Sequence, residues 1–325
     1  MKPRFVYLFL ALVIYTKCSK KTESNPPPPP TPAPSGIICF QYDFTSPTNQ
    51  DIAKVNADGT QYQRFNINTM INGYVSINQT PRFSYDKSKI IFTSNRDGEQ
   101  NDYDIYSINS DGTNIQKITN NPNRNEGYAS LSPNGQKLLY SSTDVNGKIQ
   151  IFISDANGTN EQAVTNFSHP TRSINTTWPN WSKDGSKIVF LSNIDTTKMN
   201  IYTINVNGSN LQNITNSSTT NHWGGVLSPN GQKIAFYQSV GGTVQIFTIN
   251  ADGTNKTQLT NFTGSFTIIS GDPSWSPDGN YIAFVSNKDK NNDQEGYDVY
   301  IMKADGSNVQ RLTNSNSWKG FTDWK

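Results

Sequence analysis

Residues 272–286 read DPSWSPDGNYIAFVS, and this stretch decides the fold. The Pro-Asp-Gly segment 277–279 favours a tight turn, because proline presets φ and glycine takes the left-handed conformation. The apolar run from Ile282 to Val285 has hydrophobic side chains on both faces of an extended chain. The stretch therefore predicts two short antiparallel strands joined by a turn.

Two further strands follow. Residues 297–306 read YDVYIMKADG, so that Val299 and Ile301 share one face while Tyr300 and Met302 share the other. The Asp-Gly pair at the end of this segment predicts a second turn into a fourth strand. Four short strands with apolar residues on both faces are typical of a sheet packed between two neighbouring sheets.

The Asp-Gly element returns six times along the chain. Its copies, each Asp or Asn followed by Gly and then Ser or Thr, are residues 58–60, 111–113, 157–159, 207–209, 252–254 and 305–307. The glycines are 53, 46, 50, 45 and 53 residues apart. A repeat of roughly 40–50 residues with several short strands is typical of a β-propeller with one four-stranded blade per repeat. We therefore predict an all-β, six-bladed propeller of antiparallel blades over residues 37–325.

The first blade is divided between the two ends of the chain. The first repeat begins at Ile37, which aligns with the second strand of the other repeats. The last residues, Phe321–Lys325, align with the first strand. We predict that Phe321–Lys325 is the innermost strand of the first blade and closes the ring, which would remove two open sheet edges.

The repeat resembles the TolB-like propeller repeat, also called the WD40-like β-propeller repeat, in its Trp-Ser-Pro-Asp-Gly, Ile-Ala-Phe and Asp-Gly-Ser/Thr segments. The matching turns are 132–135, 182–185, 228–231 and 276–279, with a degenerate copy at 84–87. The resemblance implies the fold from Ile37 to Lys325. TolB carries an α/β domain before its propeller and works with envelope partners that include a peptidoglycan-associated lipoprotein. Residues 18–36 stand in that place here, so a role taken from TolB rests on fold analogy.

Residues 1–17 have the features of a secretion signal peptide, with Lys2 and Arg4 ahead of an apolar run over 5–16. Cys18 follows, as in a bacterial lipoprotein precursor whose cysteine is lipidated, although Lys17 replaces the small residue that such signals prefer. We predict a lipoprotein anchored to the outer membrane, on its periplasmic side or at the cell surface. The alternative is a secreted protein with an incidental cysteine.

The Pro-rich linker 18–36 favours polyproline II at about 3.1 Å per residue, and so predicts a spacer between anchor and propeller. The second cysteine, Cys39, lies in an apolar run and is predicted to be buried.

Without residues 1–17, the number of Lys and Arg residues falls from 27 to 24 against 25 Asp and Glu residues, so the net charge changes from +2 to −1. We therefore expect no nucleic-acid partner. We also predict a monomer.

The candidate site lies where the repeats vary. The short turns share one face of a propeller, and the opposite face carries the variable loops and blade connections, where binding residues concentrate. An aromatic ring around the channel mouth would bind a glycan or peptide, although such rings also pack between sheets. The predicted ligand contacts are His169, Arg172, Trp178, His222, Trp223 and Trp318.

Loops 95–103 and 287–297 are rich in acidic residues, which suggests calcium binding as an alternative. Basic residues are interleaved there and no calcium-loop spacing is present, so we predict that both loops are solvated.

No Gly-x-Ser-x-Gly segment occurs, and there are only two histidines. We predict no catalytic residues, metal or cofactor, and a protein-interaction or ligand-binding module of the cell envelope. The alternative is a carbohydrate-binding or carbohydrate-cleaving propeller, because only the fold positions glycosidase carboxylates.

Overall fold

The computed structural model describes residues 33–43, 50–97, 102–121, 124–144, 146–169, 171, 173–264, 267–292 and 295–325. Within these ranges every helix or strand assigned is a β-strand. No helix there is long and apolar enough to cross a membrane. The predicted signal peptide 1–17, Cys18 and Arg172 lie outside the described residues.

The strands form six four-stranded antiparallel blades and one separate hairpin. Blade 1 begins with β1 (Ile37–Asp43), β2 (Gln50–Asn56) and β3 (Gln63–Arg64), and the hairpin is β4 (Met70–Ile71) and β5 (Tyr74–Val75). Blade 2 is β6 (Asn78–Phe83), β7 (Lys89–Ser94), β8 (Asp104–Asn109) and β9 (Gln116–Lys117). Blade 3 is β10 (Glu126–Leu131), β11 (Lys137–Thr143), β12 (Ile149–Asp155) and β13 (Gln162–Ala163). Blade 4 is β14 (Thr176–Trp181), β15 (Lys187–Ser192), β16 (Asn200–Asn205) and β17 (Gln212–Asn213). Blade 5 is β18 (His222–Leu227), β19 (Lys233–Val240), β20 (Thr243–Asn250) and β21 (Thr257–Gln258). Blade 6 is β22 (Ser270–Trp275), β23 (Tyr281–Ser286), β24 (Asp298–Lys303) and β25 (Gln310–Arg311), and β26 (Trp318–Trp324) completes blade 1.

The predicted ring closure is confirmed. Strand β26 pairs with β1 in the order β26-β1-β2-β3. Beyond the strand, Ile37 N donates to Lys325 O at 2.8 Å, and the Trp324 indole N–H donates to Ser35 O at 2.8 Å. The strand begins at Trp318, three residues earlier than predicted, because Trp318 already pairs with Asp43.

The hydrophobic core is divided among the gaps between neighbouring blades. Val299 and Ile301 pack against blade 1, whereas Tyr300 and Met302, on the opposite face of the same strand, pack against blade 5. The prediction of blades that are apolar on both faces is thus confirmed. Cys39 is a free, fully buried thiol between blades 1 and 2, and burial raises its pKa.

The short turns are built alike. In the turn after β22, Gly279 N donates to Ser276 O at 2.9 Å, and Gly279 has a φ of 74°. Asn280 N donates to the Asp278 carboxylate at 3.0 Å, and Tyr281 N donates to Ser276 Oγ at 2.9 Å. These bonds join the first two strands of a blade at the turn.

Each innermost strand carries one irregularity near its middle. The ladder shifts register there, and one residue per blade has a φ between 50° and 68°. A β-bulge of this kind redirects a side chain out of the regular alternation of the strand. The six residues are Thr80, Tyr128, Trp178, Gly224, Asp272 and Phe321.

Candidate functional site

Three of these redirected side chains meet at the propeller axis. The Trp178 ring lies edge-on to Tyr128 at 5.3 Å between centroids and 5.8 Å from Phe321, although these residues come from blades 4, 3 and 1. Tyr237 contacts the Trp178 ring at 6.2 Å. Contact between opposite blades requires the rings to lie inside the central channel. We call Tyr128, Trp178, Tyr237 and Phe321 the aromatic plug.

A buried carboxylate holds the plug in place. Asp272 accepts hydrogen bonds from Phe321 N at 2.9 Å and from the Tyr237 hydroxyl at 3.1 Å. Burial raises the pKa of Asp272, while these two hydrogen bonds oppose that effect. Asp272 therefore ties blades 1, 5 and 6 together at the centre.

On the turn-face side of the plug, the ends of the innermost strands leave a cavity of about 450 Å³, which we call the funnel. Its volume lies within the roughly 300–1,000 Å³ of ligand sites in proteins. Strand ends form its floor and walls, and the short turns form its rim. The floor has Arg82, Ser130, Asn180, Val226, Ser274 and Asp323; the walls have Phe83, Leu131, Trp181, Leu227, Trp275 and Trp324; the rim includes Tyr85, Lys87, Pro133, Lys183, Pro229, Pro277 and Lys325.

The tryptophans of the funnel wall are fixed by their indole N–H groups. Trp181 donates to Ser130 O at 3.2 Å and Trp275 donates to Val226 O at 3.2 Å. Trp324 donates to Ser35 O, as described above. Because each ring is anchored to backbone, the wall is preformed rather than assembled around a ligand.

The charges of the funnel are predominantly positive. Arg82 lies 3.6 Å from the Asp323 carboxylate and Lys325 lies 3.9 Å from it. Lys87 and Lys183 have no carboxylate within salt-bridge distance among the described residues. The arrangement suits a ligand that brings negative charge to the rim.

The residues predicted as ligand contacts are dispersed. Trp178 belongs to the plug, and Trp223 stacks on Tyr237 at 5.8 Å, on the loop-face side of the plug. His222 is only 1% exposed and its ring packs on Phe236. These placements bring Trp178 and Trp223 into one aromatic cluster, whereas the burial of His222 gives no support to a ligand contact there.

His169 and Trp318 lie apart from that cluster. Thr171 N donates to His169 Nδ1 at 3.2 Å within a blade connection. Trp318 packs edge-on against Tyr297 at 4.6 Å. Ligand binding by these residues, and by Arg172, stays a prediction.

Acidic residues of the two acidic loops bond to nearby side chains. Asp97 accepts a hydrogen bond from the Tyr106 hydroxyl at 2.9 Å, and Asp289 pairs with Lys288 at 2.7 Å. Within the part of the chain that the structure describes, no group of three or more His, Cys, Asp or Glu is placed to hold a metal ion.

Sequence reasoning missed the funnel residues Arg82, Lys87 and Lys183. A signal was present in the turns themselves. The second turn position is proline in blades 3, 5 and 6 but Tyr85 in blade 2 and Lys183 in blade 4. This turn position faces the cavity whether or not it is proline, so a turn that departs from the repeat changes the chemistry of the rim.

A closed ring of six four-stranded blades around a plugged channel defines the class of protein as a six-bladed β-propeller. The family model described as TolB beta propeller domain matches residues 130–261 and 224–324, which together span more than half of the chain. The chain therefore belongs to the TolB β-propeller domain family.

Solved structures share the fold at low identity. TolB from Acinetobacter baumannii has a TM-score of 0.69 at 20% identity, over 90% of this chain and 67% of that one. Hydrazine synthase from Kuenenia stuttgartiensis has a TM-score of 0.64 at 13% identity, over 89% of this chain and 46% of that one. Oligogalacturonate lyase from Vibrio parahaemolyticus has a TM-score of 0.53 at 14% identity, over 86% and 74%. No curated protein matches the chain.

Burial of His222 predicts that the folded protein loses stability in acid. Burial lowers the pKa of His222 to about 4, so between that value and about 6.5 the unfolded chain binds more protons than the folded one. The free energy of unfolding should therefore fall by on the order of 3 kcal/mol as the pH drops from 6.5 to 4. Urea unfolding of the wild type, His222→Gln and His169→Gln at several pH values measures this contribution. The His222 variant should lose that part of the pH dependence and the His169 variant should keep it; equal curves for all three would contradict the assignment.

Proposed function

We propose that this propeller is an exported binding module of the cell envelope that holds a protein partner in the funnel. The funnel carries the proposal, because a preformed concave site with a few convergent polar groups is the usual form of a binding site. Its inner end is closed by the aromatic plug, so a ligand would insert from the turn face and stop at the floor.

Export and anchoring are part of the proposal. The signal-like residues 1–17 and the following Cys18 support passage into the envelope and attachment to a lipid. Membership of the TolB propeller family supports the same setting. The outermost strands β3, β9, β13, β17, β21 and β25 are two residues long each, which leaves little edge for pairing with a second copy and supports a monomer.

A carbohydrate ligand is the second candidate. Oligogalacturonate lyases share the fold, and the cluster of Trp178, Trp223 and Tyr237 offers partly exposed rings. A glycan array with the purified propeller separates the candidates: specific sugar binding that is lost in Trp223→Ala would favour carbohydrate over protein.

Site-specific photo-crosslinking in intact cells tests the proposed function. A benzophenone side chain at Tyr85 lies on the funnel rim, and one at Val240 lies in the exposed β19–β20 hairpin on the loop face. We expect a discrete crosslinked protein at position 85 and none at position 240. Crosslinking at 240 alone would move the site to the loop face, and the absence of any product at 85 would overturn the proposal.

A further inference from the structure

The lining of the funnel is unbalanced in charge. Among the described residues that line it, there are four cationic side chains, Arg82, Lys87, Lys183 and Lys325, and one carboxylate, Asp323. A cavity lined by one sign of charge concentrates ligands of the opposite sign. The direction of the imbalance therefore restricts which partners fit.

The Asp323 carboxylate is engaged by partners within the fold. Asp323 accepts a hydrogen bond from Phe83 N at 2.9 Å and lies near Arg82 and Lys325. Arg82 in turn donates to Thr322 O at 3.3 Å. Asp323, Arg82 and Lys325 form one group, so Asp323 does not pair with Lys87 or Lys183, which have no ion-pair partner among the described residues.

Unpaired polar atoms lie at the inner end of the cavity. The Ser130 hydroxyl, on the floor, is buried and makes no hydrogen bond to any residue that the structure describes. Trp178 Nε1, in the plug, is likewise buried without a partner, and Trp178 and Arg82 both line a small cavity between plug and floor. Because both atoms are buried, neither is open to a ligand in the funnel, and recognition depends on the charges of the rim.

The walls favour a peptide over an acidic sugar. Stacking against a sugar needs an open aromatic face, but two of the three wall tryptophans, Trp275 and Trp324, are only 8% and 2% exposed, and the third, Trp181, is half-buried. The rim adds prolines and Tyr85, which is 40% exposed. Such a rim packs against the aliphatic parts of a peptide while the cations meet its carboxylates.

We propose that the funnel selects an acidic peptide segment, with Lys87 and Lys183 recognising its carboxylates at the rim. The inference rests on the proposed function, because it assigns the ligand class of the same site. Both lysines are specificity-determining residues that recognise charge without taking part in any reaction.

Fluorescence anisotropy with a labelled hexaglutamate peptide and a matched hexaglutamine peptide tests the ligand class. The test variant is Lys87→Glu/Lys183→Glu, and the matched control is Lys148→Glu/Lys198→Glu, which changes the charge equally in loops of the opposite face. We expect hexaglutamate to bind at least about tenfold more tightly than hexaglutamine, and the test variant to lose about tenfold while the control keeps its affinity. Affinity should also weaken as salt is added.

The outcomes separate this inference from the proposed function. Equal binding of the two peptides, or equal loss in the two variants, overturns selection by the rim lysines. Binding of oligogalacturonate at the funnel without binding of hexaglutamate replaces the peptide with an acidic glycan. Crosslinking at Tyr85 without hexaglutamate binding overturns the acidic ligand alone, whereas no crosslinking at Tyr85 overturns the proposed function itself.

Discussion

A chain that ends after Asn316 will lose the cooperative unfolding transition of the full-length propeller. The truncation removes β26, the innermost strand of blade 1, and with it Trp324, which is 2% exposed. Loss of a buried tryptophan side chain alone costs about 3–5 kcal/mol, against a total stability of about 5–15 kcal/mol for a typical domain. The truncation also exposes the inner edge of β1, the strand with which β26 pairs.

Thermal melting followed by circular dichroism, with size-exclusion chromatography, measures the effect. The matched control deletes residues 24–32, an equal number of residues from the Pro-rich linker, and should melt like the wild type. Trp324→Ala should show an intermediate loss, and Trp318→Ala, at the partly exposed start of the strand, a smaller one. A truncated protein that melts at the wild-type temperature would contradict ring closure as the source of stability.

Replacement of Asp298 by asparagine will destabilise the protein by about 3–5 kcal/mol, the cost of breaking a buried ion pair from one side. The Asp298 carboxylate lies 2.8 Å from Lys290 Nζ and 3.2 Å from Lys319 Nζ, and it also accepts a hydrogen bond from Arg311. The side chains of Lys290 and Lys319 are 2% and 0% exposed. Without the carboxylate, two buried ammonium groups lose the charge that compensates them.

The midpoint of urea unfolding measures this loss. Asp289→Asn is the matched control, because Asp289 pairs with Lys288 at a more exposed position, where such a pair contributes less than about 1 kcal/mol. The double variant Asp298→Asn/Lys319→Met should recover part of the stability, since it removes one of the uncompensated charges. Equal midpoints for the Asp298 and Asp289 variants would show that the buried cluster is not a stabilising element.

The same cluster has a defined pH dependence. Burial raises the pKa of Asp298, but the hydrogen bond from Lys290 and the charge of Lys319 outweigh it and hold the pKa below its usual value. A carboxylate with a depressed folded pKa contributes stability that is present above its unfolded pKa, about 3.9, and is lost as the pH falls towards the folded value. This loss lies at lower pH than the one assigned to His222, so the two variants separate the contributions.

The architecture could be predicted because its signals are local. Each Asp-Gly-Ser/Thr turn can be recognised from four consecutive residues, and six such turns at near-regular spacing indicate six blades. The start of β26 was less predictable, because Trp318 and Lys319 follow no strand alternation and are held by Tyr297 and Asp298 from another blade.

The site could be predicted only in part, because it forms from residues far apart in the sequence. Bulge positions carry residue types as different as Thr80, Trp178 and Asp272, so no pattern marks them as equivalent. The sequence pointed to the face with variable loops, where Trp223 lies, whereas the funnel arises from the divergence of strand ends around the axis. That divergence follows from the closed ring and has no signature in any single repeat.

Ser35 and Gly36 lie directly beside Trp324 and Lys325, so the chain enters the propeller at the mouth of the funnel. The Trp324 indole therefore has two tasks, because it fixes the entry of the chain through Ser35 and forms part of the funnel wall. A substitution of Trp324 would loosen both at once, so the start of the propeller and the shape of its cavity are coupled through one side chain.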